Sequence, residues 1–226
     1  MKNKLLAECL GTFALVLAGT GAIVVDGVSG GAVTHLGVAL TFGFIVFAMI
    51  QCFGDVSGAH LNPAVTLGFV AASRMPRAMA IPYVAAQCLG ACAASVLLFA
   101  LFPGHATLGA TLPAGSDLQS FGLEVAMTWL LMLVILSVSA GSKERGWWPG
   151  IAIGAVVGLE ALFGGPVSGA SMNPARSLAP ALVSWRLEHL WIYLVAPFVG
   201  ALLAVPACRL VQPAGCCDAS GGRACP

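Results

Sequence analysis

Two stretches of the chain place the same hydrogen-bonding and turn-forming residues at the same spacing. Residues 57–65 read SGAHLNPAV and residues 168–176 read SGASMNPAR, alike at six of nine positions. Their asparagines, Asn62 and Asn173, stand 111 residues apart in a chain of 226. Asn is a favoured helix N-cap, and Pro suits the first helical position, where its missing N–H has no partner to lose. Asn62-Pro63-Ala64 and Asn173-Pro174-Ala175 therefore each predict a helix start after a Ser-Gly turn. A helix start exposes unpaired N–H groups and the positive end of the helix dipole. Such a site donates hydrogen bonds to a passing oxygen and repels cations. Hydrolysis is a poorer fit: Ser57 and Ser168 precede Gly, but the second copy has no histidine matching His60, so a nucleophile with its base is not evident and no enzyme is expected.

The elements that must hold these motifs are membrane spans. Apolar residues make up 59% of the chain and charged residues 8%, with a mean hydropathy of +0.95. A soluble domain carries about 25% charged residues. The expected class is thus an all-α membrane protein in a lipid bilayer. A formal net charge of +1 without a basic stripe argues against a nucleic-acid partner. Spans are predicted at 5–25, 36–53, 81–102, 121–140, 147–162 and 190–211. The first is read as a span and not a cleaved leader, because its apolar run is too long and contains Glu8. After Asn62 the apolar run stops near Ala72, before Ser73, Arg74 and Pro76. At 1.5 Å per residue that is about 15 Å, half a bilayer core, so the two motif helices are re-entrant half-helices.

With the N-terminus cytoplasmic, Lys2, Lys4, Arg74, Arg77, Lys143, Arg145, Arg209 and Arg223 fall inside, against Arg176 and Arg186 outside. Both termini are then cytoplasmic. The repeat also extends beyond the motif, because Glu8 and Glu124 each stand four residues before Thr12 and Thr128. The repeats run about 1–115 and 116–211 within one domain, with 212–226 a Cys-containing tail. Three spans per half is an odd number, so the second half must be inverted. Inverted repeats with broken helices are a transport architecture.

Paired Asn-Pro-Ala motifs at this spacing, in a chain this apolar, resemble the aquaporin superfamily (major intrinsic proteins) over about residues 5–211. GPVSGASMNPARSL at 165–178 resembles the nodulin-like members of plants and their bacterial relatives. The resemblance implies six transmembrane helices plus two half-helices, a homotetramer, and a bacterial plasma membrane. Two half-helix N-termini facing one point would exclude protons and ions, as is argued generally for aquaporin pores. It also implies that Arg176 belongs to an outer selectivity constriction completed by Phe42, Ala161 and Ala170. Water-selective relatives usually have His where this chain has Ala161. Glycerol channels usually have a second aromatic and an Asp where Ala170 and Ser177 stand here. The expected permeants are therefore small neutral solutes with water: arsenite as its neutral hydroxide, silicic or boric acid, glycerol and urea. A water-selective pore and an ion-coupled transporter remain the alternatives.

By the same resemblance, Glu8 and Glu124 brace the loops before the half-helices, and His60 belongs to the cytoplasmic vestibule, bonded to neighbouring backbone. Glu160, where plant relatives tend to have Asn, is expected to make a packing hydrogen bond. Gly150, Gly154 and Gly158 form a stripe for close helix packing. Cys9, Cys52, Cys88, Cys92 and Cys208 read as small buried hydrophobes. Cys216, Cys217 and Cys225 form a candidate thiol site for a soft species such as arsenite. No metal site and no cofactor are expected.

Overall fold

The computed structural model describes residues 1–139 and 146–211. Lys143, Arg145 and Arg223, and the candidate thiols Cys216, Cys217 and Cys225, lie outside the described residues. The described chain forms α1 (Lys2–Val28), α2 (Thr34–Ser57), α3 (Pro63–Ala71), α4 (Ala80–Leu101), α5 (Asp117–Val138), α6 (Trp148–Ser168), α7 (Pro174–Ser184) and α8 (Leu190–Val211). Six of these are long and apolar enough to cross a membrane; α3 and α7 are the short ones. Large apolar side chains such as Phe44, Ile81, Leu89 and Leu203 face outward, as a lipid-facing surface requires.

Packing follows the repeat. α1 lies on α4 as α5 lies on α8, and α3 and α7 each pack on the last helix of the opposite half. Between the halves, α2 meets α6 and α3 meets α7. Gly90 of α4 sits against the backbone of Cys9 and Phe13, and Gly200 of α8 against that of Val125 and Trp129. A side chain at either position would enter the neighbouring backbone.

Two departures from the predicted spans have identifiable causes. α6 continues to Ser168, through Pro166. Proline cannot donate to the carbonyl four residues back, and that carbonyl, Leu162 O, is met instead by His35 Nε2 at 2.7 Å. The partner from α2 lets the helix run on. α5 begins at Asp117, inside the predicted loop, because Ser116 Oγ accepts from Gln119 N at 3.2 Å. A polar capped turn escapes a hydropathy reading.

The α2–α6 seam is set by glycine. A Cβ on Gly154 would lie 2.6 Å from Gly43 O, and one on Gly43 would lie 2.7 Å from Gly154 O. At Gly158 the nearest atom would be 3.4 Å away, an ordinary contact. Gly154→Val should therefore cost about 1–3 kcal/mol through overpacking, whereas Gly158→Ala should be neutral or slightly stabilising. Thermal unfolding of the purified variants checks both.

Candidate functional site

Two buried carboxylates shape the site. Glu8 Oε1 accepts from Ser57 Oγ (2.7 Å) and His60 N (3.0 Å), and Oε2 accepts from Leu61 N and Gln87 Nε2 (both 2.8 Å). In the other half, Glu124 Oε1 accepts from Ser168 Oγ and Ser171 N, and Oε2 from Met172 N, each at 2.8 Å. Tyr83 Oη donates to Ser57 O at 2.9 Å, and Tyr193 Oη donates to Ser168 O at 2.6 Å. The loops so held are tightly wound. Ala59, Leu61, Ala170 and Met172 have φ of 45°, 52°, 41° and 52°. The left-handed region costs a non-glycine residue about 1–2 kcal/mol, a cost that the captured N–H groups offset.

Held in this way, the loops deliver the asparagines to one point. Asn62 Oδ1 caps α3 by accepting from Ala64 N at 2.8 Å, and Asn173 Oδ1 caps α7 through Ala175 N at 3.0 Å and Arg176 N at 3.3 Å. The amide nitrogens cross: Asn62 Nδ2 donates to Met172 O and Asn173 Nδ2 to Leu61 O, both at 2.8 Å. Each amide has two N–H groups, so one is engaged by the opposite loop and the second is left for a solute. The crossed bonds lock the N-termini of α3 and α7 face to face.

A single cavity of ≈ 1310 Å³ runs past this junction. At one end it is lined by Met1, Lys4, Asp55 and Arg74, and toward the other by Phe42, Ala161, Ala170 and Arg176. Arg176 is 1% exposed, so it is not a snorkelling interfacial arginine. Its guanidinium carbon lies 5.3 Å from the centre of the Phe42 ring, within range for a cation–π contact. Nη1 donates to Gly109 O at 2.8 Å, and Nε finds no acceptor among the described residues. The structure thus brings Phe42, Ala161, Ala170 and Arg176 to one cavity, with two of the four walls made of methyl groups.

The major intrinsic protein family model matches residues 1–207. The chain belongs to that family. It is 50% identical to aquaporin NIP1-4 of Oryza sativa subsp. japonica over 214 residues, covering 94% of this chain and 78% of that protein. To nodulin-26 of Glycine max it is 44% identical over 211 residues, covering 93% and 78%. The X-ray structure of the aquaglyceroporin from Plasmodium falciparum superposes with a TM-score of 0.83 at 25% identity, covering 91% of this chain and 94% of that one. The chain is accordingly an integral membrane protein and a passive channel for water and small neutral solutes, not an enzyme.

Several side chains differ from expectation or were missed. His60 was expected to bond neighbouring backbone; its Nδ1 instead meets Thr66 Oγ1 at 3.1 Å and its ring stacks on Phe69 at 4.5 Å. The nearby backbone N–H groups are already taken by Glu8, which leaves the ring to the first turn of α3. Glu160 makes no hydrogen bond, because neither carboxyl oxygen has a partner among the described residues. Of the span cysteines only Cys208 is buried; Cys9, Cys88 and Cys92 are half-buried and Cys52 is exposed. Gln87 and Thr66 complete the Glu8 cluster through a 3.0 Å bond, and Thr111 Oγ1 bonds Ser177 Oγ at 2.8 Å. Gln87 carried a signal, being a lone amide amid an apolar span. Gly109 acts through its carbonyl, which residue type does not announce.

Glu124→Gln puts an amide nitrogen where an oxygen accepts, leaving at least one of the Ser168, Ser171 and Met172 donors unpaired. Stability should fall by about 1–3 kcal/mol, with reduced water flux. Thermal unfolding and stopped-flow light scattering on proteoliposomes measure the two effects.

Proposed function

We propose that this channel is wide at its outer constriction and admits compact neutral polyols and metalloid hydroxides, namely arsenous, silicic or boric acid and glycerol, together with water. The observation that carries this reading is the constriction itself. Phe42 and Arg176 form one wall and one strong donor, while Ala161 and Ala170 present only methyl groups to the same cavity. A solute with several hydroxyls can satisfy the guanidinium and the free asparagine N–H groups in turn. Its carbon or metalloid centre meanwhile rests against apolar walls.

In this reading Asn62 and Asn173 hold the permeant at mid-membrane, and the facing N-termini of α3 and α7 exclude cations by their dipoles. Glu8 and Glu124 keep the loops in place, and His60 shapes the inner vestibule. The inner end is the one lined by Met1, Lys4 and Arg74, which the positive-inside rule assigns to the cytoplasm together with both termini. The assembly is a homotetramer in a plasma membrane, here read as bacterial, although the relatives named above come from plants and a protist.

Light scattering and uptake measurements on proteoliposomes test the proposal. The parent should pass glycerol and arsenous acid, and Ala161→His should cut that flux by about tenfold or more, the scale of steric discrimination in a filled pocket, while water flux persists. Fast water flux with no solute entry in the parent would make this a water-selective pore and overturn the assignment.

A further inference from the structure

Glu160 is the buried acid that the channel reading leaves without a task. Its side chain is fully enclosed, and both carboxyl oxygens lack a hydrogen-bond partner among the described residues. It immediately precedes Ala161 on α6, so its side chain points about 100° away from the channel wall. Gly164, one turn further along the same helix face, abuts Met127 of α5. Glu160 therefore faces α5, on which Glu124 stands one turn from Met127. From α2 the titratable neighbour of this end of α6 is His35, engaged with Leu162 O.

The two acids are not equivalent. Glu124 has both oxygens occupied by donors, Ser168 Oγ, Ser171 N and Met172 N. That set fits a carboxylate that accepts on every side. Glu160 has no donors. A carboxylate enclosed at membrane depth with no donor on either oxygen cannot stay ionised. The repeat gives an independent comparison. At the 111-residue offset that relates Gly43 to Gly154, Glu160 corresponds to Met49 of α2, an uncharged side chain of similar length packed against the core.

We propose that Glu160 is a neutral, proton-bearing carboxylic acid, and that this neutrality is what lets an acid sit behind the constriction without weakening its exclusion of cations. With the proton in place, Glu160 adds no negative charge behind the constriction, and the helix N-termini keep the pore hostile to cations. Without it, an added buried anion would draw cations toward Arg176. This rests on the reading of Arg176 and the half-helices as a cation barrier, but its main test does not use flux.

Difference infrared spectra of bilayer-reconstituted parent and Glu160→Gln at neutral pH read the proton directly. The parent should show a protonated-carboxyl C=O stretch that shifts in D₂O and is absent from the variant. Carboxylate bands in its place overturn the proposal. In parallel, Glu160→Gln should keep proteoliposomes as tight to Na⁺ as the parent and leave glycerol flux unchanged; a change in Na⁺ leak would mean that a charge had been removed, and overturns it too. Under alkaline titration of the parent, carried until the band is lost, band loss and Na⁺ leak should appear together. A leak with the band intact, or band loss without leak, contradicts the assignment. A parent that shows the band but passes no solute would refute the permeation reading and leave this one standing.

Discussion

Everything at the centre of this channel depends on carboxylates capturing backbone. Irregular chain at membrane depth has no water to satisfy its N–H groups and must find partners within the protein. Glu8 and Glu124 provide them, each collecting two loop N–H groups and a serine hydroxyl. The capture forces alternate loop residues into the left-handed region, which turns the chain sharply enough to start a helix halfway across the membrane. A hydrophobic residue at either position would strand the N–H groups; a lysine would oppose them. The acids are needed because they accept without donating.

From that constraint the rest follows by symmetry. The two cradled loops meet back to back, and each asparagine divides its amide between capping its own helix and bonding the opposite loop. The halves are thereby fastened to each other by polar bonds at the very point where the solute passes. The seam between α2 and α6 brings the halves together by a different means, the mutual approach of Gly43 and Gly154 to each other's carbonyls. The halves diverge where selectivity is needed: Arg176 stands where the first half has Val65, and Ser177 where it has Thr66. The inverted scaffold is common to both; the constriction belongs to one.

Much of this was legible in the sequence because it is written in residue types. The doubled Asn-Pro motif predicted where both half-helices start, since capping and the first-turn proline are local effects. The glycine stripe on α6 and the paired acids were visible for the same reason. What was not legible depends on backbone atoms or on distant elements. The carbonyl of Gly109 that positions Arg176 could have come from any residue. The continuation of α6 past Pro166 depended on His35, 127 residues away from the carbonyl it rescues. His60 turned to Thr66 because Glu8, 52 residues upstream, had already claimed the backbone beside it. Hydropathy likewise placed the start of α5 too late, because its first turn is polar and capped by Ser116.

Two buried acids hold loop backbone beside the path of the solute. Hydrogen–deuterium exchange of the parent and of Glu8→Gln in lipid nanodiscs, resolved to single amides, tests it most directly. The amides of His60, Leu61, Ser171 and Met172 should exchange slowly in the parent despite lining the cavity. Glu8→Gln should speed those of His60 and Leu61 while leaving Ser171 and Met172 protected. Exchange of all four at open-loop rates in the parent, or no change on losing the Glu8 carboxylate, would contradict the account.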